Sequence, residues 1–77
     1  MTLVANLALR VRVRMLRTEF NRRYQALDAK GLAGYGPGNA LFEARGELQM
    51  AEPMIGHRKH AKGVEIITRL EKEWMVK

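Results

Sequence analysis

A glycine- and proline-rich segment, residues 31–39, divides this 77-residue chain into two parts that each carry a regular apolar pattern. Four glycines and one proline within nine residues cannot continue a helix. Gly31 is expected to cap a helix that ends at Lys30, and Asn39 to cap the helix that follows. The glycine spacing matches neither of the common phosphate-loop patterns. Residues 31–39 are therefore predicted to be a connector between two helices.

Apolar residues on both sides of this connector recur three or four positions apart, which is the spacing of one helical face. The first set consists of Leu9, Val13, Leu16, Phe20, Tyr24 and Leu27, and the second of Leu41, Ala44, Leu48, Ala51 and Ile55. Two such faces joined by a short connector predict a mainly α-helical fold. Its core is a helical hairpin, with helices at about 3–30 and 40–52.

The end of the chain predicts a third helix. Pro53 is expected to end or kink the second helix near Glu52, and a basic turn follows at residues 56–63. A helix is predicted from about 64 to 76, with a strand over 64–70 as the alternative because β-branched residues are concentrated there. The apolar face of this helix consists of Ile66, Ile67, Leu70 and Trp74.

The N-terminal segment, residues 3–15, also fits a strand because every odd position in it is apolar. A strand followed by two helices over residues 9–52 resembles the layout of ribbon-helix-helix proteins. That resemblance implies a dimer in which a polar strand face reads the DNA major groove. The helix is favoured, since the residues are good helix formers and the apolar stripe continues unbroken to Leu27.

A helical N-terminal segment leaves a second set of apolar residues unexplained. They point away from the hairpin seam and need a partner of their own. These residues are Val4, Leu7, Val11 and Met15.

Length and composition limit how this chain becomes stable. Residues 1–77 form at most one small domain, whose core is marginal at this size. The chain has no cysteine, which excludes disulfides and thiolate metal sites. Helix packing, self-association as a homo-oligomer, or a partner must supply the stability. No apolar run is long enough to span a bilayer, and the N-terminus lacks signal-peptide features, so a cytoplasmic location is expected.

The residues available for chemistry argue against an enzyme. There is no serine or cysteine, and Asp28 is the sole aspartate. No base stands at a spacing that would activate a nucleophile. His57 and His60 lie three residues apart, but their neighbours are mainly cationic, which favours a solvated basic turn over a metal site. No catalytic residue, cofactor or metal is expected.

Arginines dominate the charge of the chain. Six of the residues between positions 10 and 23 are arginines, and the net charge is +6. Arginine binds phosphates through paired N–H groups, so the sequence predicts contact with nucleic-acid phosphates. The basic turn is expected to add a second contact. The predicted binding residues are Arg10, Arg12, Arg14, Arg17, Arg22, Arg23, Arg58, Lys59 and Lys62.

The alternative partner is an acidic protein. A small helical regulator, inhibitor or assembly subunit would complete its marginal core against such a partner. Met50 and Met54 lie off the seam of the second helix, and Trp74 is a residue type enriched in interface hot spots. These three residues are the predicted protein-interface contacts. An anionic membrane surface is a third candidate.

Overall fold

The computed structural model describes residues 3–31 and 36–75, which form three α-helices and one short 3-10 helix. Helix α1 spans Leu3–Ala29, α2 spans Gly36–Ala51 and α3 spans His60–Trp74. The 3-10 helix, Glu52–Met54, follows α2 directly. The described residues contain no strand, so the helical hairpin with a C-terminal helix is confirmed. The strand alternatives, and with them the ribbon-helix-helix layout, are not supported.

The end of α1 follows the expected glycine cap. The Gly31 N–H donates to the carbonyl of Asp28 at 2.9 Å, and Gly31 has a φ of 71°. Glycine adopts this left-handed conformation without the steric cost that a side chain would add. Helix α2 ends at Ala51, and Pro53 lies in the 3-10 helix that follows, which confirms that α2 ends close to Glu52.

Two helices begin earlier than the sequence predicts. Helix α2 starts at Gly36 rather than near residue 40, so Asn39 lies inside its first turns and residues 36–39 are not connector. Proline is tolerated in a first turn because the N–H that it lacks has no partner there. Helix α3 starts at His60 rather than 64, so the predicted basic turn is half helix.

Gly63, in the first turns of α3, lies at a close contact with the end of α2. A Cβ atom at this position would lie 3.0 Å from the Met54 Cβ and 3.2 Å from the Ala51 carbonyl oxygen. The glycine therefore lets α3 approach the end of α2 closely. In the sequence it resembles a helix breaker, whereas in the structure it is a buried packing contact.

The core lies along the predicted seams. All five members of the α2 seam are buried, and α1 contributes four residues of its own. The sequence predicts that Tyr24 belongs to the core, but its side chain is 37% exposed. Leu27 is partly buried and packs against the edge of the core. The buried cluster consists of Leu9, Val13, Leu16, Phe20, Leu41, Ala44, Leu48, Ala51, Ile55, Ile66, Ile67 and Leu70.

Candidate phosphate-binding surface

Two arginines of α1 connect it to the other helices. The Arg12 Nε donates to Glu71 Oε2 at 3.0 Å, and its Nη2 donates to Oε1 at 2.6 Å. This hydrogen bond to Glu71 raises the pKa of Arg12. Arg17 pairs with Glu52, the first residue of the 3-10 helix that follows α2. Both guanidinium groups therefore contribute to helix packing and are partly neutralised by this chain's own carboxylates.

Glu19 forms ion pairs with two further arginines of α1. Arg22 and Arg23 each donate to a Glu19 carboxylate oxygen at 2.6 Å. Hydrogen bonds from Arg22 and then Arg23 lower the pKa of Glu19 to about 2. Arg23 also donates to the carbonyl of Trp74 at 2.6 Å, and its guanidinium lies 5.3 Å from the ring centroid.

Five of the predicted contact residues are free of such pairing. Arg10 and Arg14 on α1, and Arg58, Lys59 and Lys62 beside the start of α3, are exposed. None of the five forms an ion pair with a carboxylate of residues 3–31 or 36–75. Of the nine predicted cations, these five retain charge that is available to a ligand.

The two basic segments meet at one end of the helix bundle. The amide nitrogen of Asn6 lies 3.3 Å from the position of a Cβ on Gly56, so the first turns of α1 touch the turn before α3. Arg10 and His57 line the same cleft, of about 280 Å³. A neighbouring cleft, of about 180 Å³, is lined by Arg10 and Arg14. Arg10 therefore lies across a cleft from His57, the residue directly before Arg58 and Lys59, and the Glu52 carboxylate also lines both clefts.

His60 holds this turn in place. Its Nδ1 accepts a hydrogen bond from the Gly56 N–H at 2.8 Å. Gly56 has a φ of 80°, a backbone conformation that residues with a side chain rarely adopt. The turn that carries the basic side chains is thus fixed by a hydrogen bond as well as by the contact with Asn6.

The predicted protein-interface residues lie in three different environments. Trp74 packs edge-on against Phe20, with ring centroids 5.6 Å apart. Met54 is partly buried against the core, whereas Met50 is 62% exposed. Phe42, which is not among the predicted contacts, is the most exposed large apolar residue described, at 72%. Its position off the apolar seam of α2 is the feature of the sequence that indicates this exposure.

The described residues contain no group of three or more acidic, histidine or cysteine side chains that could hold a metal ion. Within residues 3–31 and 36–75, no helix combines the length and apolar character needed to cross a membrane. Comparison with known proteins finds no matching family model, curated protein or solved structure.

Proposed function

We propose that this chain is a small non-enzymatic binding protein whose unpaired cations contact the phosphates of a nucleic acid. The observation that carries the proposal is the cleft that Arg10 of α1 shares with His57, the residue directly before Arg58 and Lys59. A polyanion laid across this end of the bundle would contact α1 and the turn before α3 at once.

The proposed contact surface contains five of the nine cations that the sequence predicts. They are Arg10, Arg14, Arg58, Lys59 and Lys62. Arg12, Arg17, Arg22 and Arg23 are left out because phosphate would have to compete with their carboxylate partners. None of the residues that line the two clefts is a phenylalanine, tyrosine or tryptophan, so the clefts lack such a platform for stacking bases. Binding is therefore expected to follow the phosphate backbone with little dependence on sequence.

Salt dependence tests this mechanism directly. Five phosphate contacts to duplex DNA would give a slope of about −4.5 in a plot of log affinity against log salt concentration. Fluorescence anisotropy with a labelled duplex and a labelled single strand, from low to high salt, measures the slope. Absence of binding to either probe at low salt would rule the proposal out.

Two double variants with the same charge change separate a site from general positive charge. Arg58→Gln/Lys59→Gln removes two cations from the proposed surface, and Lys30→Gln/Lys72→Gln removes two from elsewhere. The first is expected to reduce the salt slope by about 2, while the second leaves it nearly unchanged. Equal loss in both variants would indicate diffuse attraction and contradict the proposed surface.

A further inference from the structure

Helix α1 carries a second apolar stripe on the face opposite its core. Leu7, Val11 and Met15 are 54%, 56% and 54% exposed. Their spacing of four residues places them in one line along about two turns, or roughly 12 Å. Leu9, Val13 and Leu16 on the other face are buried. The stripe therefore plays no part in the core of this chain.

Exposed aliphatic side chains in a line are typical of a surface that another molecule covers. Single exposed apolar residues are common, but three on successive turns form a continuous contact line for a partner. The bundle itself does not cover the line, because α2 and α3 pack against the opposite face of α1. Ala8 beside it is small, so a second helix could approach the backbone closely.

The charges beside the stripe select the partner. Arg10 and Arg14 follow one border of the stripe, and neither has a carboxylate partner among the described residues. The nearest carboxylate, Glu52, lines the same cleft as Arg10 and Arg14 but pairs with Arg17. On α1 itself, Glu19 pairs with Arg22 and Arg23, and Asp28 lies near the far end. The partner must therefore supply the carboxylates.

We propose that this stripe binds an amphipathic helix that carries an acidic edge. Its apolar side chains would lie along Leu7, Val11 and Met15, with glutamates or aspartates facing Arg10 and Arg14. Opposite charges beside an apolar seam set the orientation and the choice of partner in helix pairs. This site shares Arg10 and Arg14 with the proposed phosphate-binding surface, so an acidic helix and a nucleic acid would compete for these two arginines, whereas Arg58, Lys59 and Lys62 lie outside the stripe.

Two other occupants fit the stripe less well. A second copy of α1 would bring its own Arg10 and Arg14 to the same contact, and like charges oppose such pairing. A helix that lies on lipid usually presents a broad apolar face with a solvated polar face behind it. Here the line is one side chain wide, and the opposite face of α1 is the protein core.

A pair of synthetic peptides tests the proposal. Each is a capped helix of about 20 residues, long enough to populate helix in isolation, with leucines along one two-turn stripe. One peptide has glutamates at the flanking positions and its twin has lysines. NMR spectra of the labelled protein are expected to show methyl shifts at Leu7, Val11 and Met15 with the acidic peptide only. Equal binding of the twins, shifts on another face, or no shifts would overturn the proposal.

Protein variants localise the contact. Val11→Gln is expected to weaken binding of the acidic peptide by at least about tenfold. Met50→Gln, a matched change at another exposed apolar residue, should leave it unchanged, as should Arg58→Gln/Lys59→Gln. Circular dichroism checks that each variant is folded. Equal loss in Val11→Gln and Met50→Gln would contradict the assignment.

Two further measurements exclude the rival occupants. Sedimentation that reveals a dimer, dissociated by Val11→Gln, would assign the stripe to a second copy and overturn the proposal. Binding to vesicles of phosphatidylglycerol and phosphatidylcholine that exceeds binding to the acidic peptide would assign it to lipid. A monomer that binds the acidic peptide and leaves the vesicles unbound supports the proposed helix partner.

Discussion

Arg12 and Glu71 connect the first and last helices through two parallel hydrogen bonds, although they are 59 positions apart in the sequence. The planar guanidinium matches the two carboxylate oxygens, which makes the contact directional as well as attractive. The Arg12 Nη2 also donates to Thr68 Oγ1, at 3.4 Å, and Thr68 lies on α3 as Glu71 does. The pair therefore fixes how α3 lies along α1.

Breaking this pair should lower stability by a modest amount. The Arg12 and Glu71 side chains are 38% and 28% exposed, so water weakens their attraction. A double-mutant cycle of Arg12→Gln and Glu71→Gln, measured by urea unfolding, is expected to give a coupling energy of about 0.5–1 kcal/mol. Arg12→Lys should lose most of it, because an ammonium cannot form the paired contact. A coupling near zero would show that the pair does not hold the helices.

Glu19 predicts how stability responds to acid. Its pKa is lowered from 4.5 to about 2 by hydrogen bonds from Arg22 and Arg23. A group whose pKa is depressed on folding stabilises the fold above its unfolded pKa, and this contribution is lost as the pH falls through the folded pKa. The melting temperature of the wild type should therefore exceed that of Glu19→Gln above pH 4.5 and approach it towards pH 2. A difference that stays constant over this range would contradict the assignment.

The sequence predicts the helices well but places two of their ends wrongly. The seams of α1 and α2 are visible because burial repeats every three or four residues. The starts of α2 and α3 are not visible, because Gly36 and Gly63 look like helix breakers. At Gly63 the missing side chain instead leaves room for Met54 and Ala51. That contact depends on the packing of two helices, which local sequence does not encode.

The candidate site could be predicted in composition but not in geometry. The sequence predicts nine cationic contacts, but local sequence does not encode which of these cations meet an acid from elsewhere in the chain. Arg12 finds Glu71 and Arg17 finds Glu52 only because the helices pack side by side. The second apolar stripe was predictable, since Val11 and Met15 fall off the seam once the segment is helical.

Trp74 is expected to matter for folding. It packs edge-on against buried Phe20, and its carbonyl accepts a hydrogen bond from Arg23. Trp74→Ala should therefore lower the free energy of unfolding by about 2–3 kcal/mol, less than a fully buried tryptophan would cost. Thermal unfolding followed by circular dichroism measures the loss. The control is Met75→Ala, a change at the next residue, which is more exposed. An equal effect of both variants would show that the Phe20 contact contributes little.

Two glycines in helices should respond to alanine in opposite directions. Alanine at Gly46 meets no atom within 4 Å, so its better helix propensity should stabilise the protein by about 0.5–1 kcal/mol. Alanine at Gly63 would lie 3.0 Å from the Met54 Cβ and 3.2 Å from the Ala51 carbonyl, so α3 must move away. Because displaced packing commonly costs about 1–3 kcal/mol, Gly63→Ala should destabilise despite the same propensity gain. Urea unfolding of both variants tests this, and stabilisation by Gly63→Ala would mean that the helices are not in such close contact.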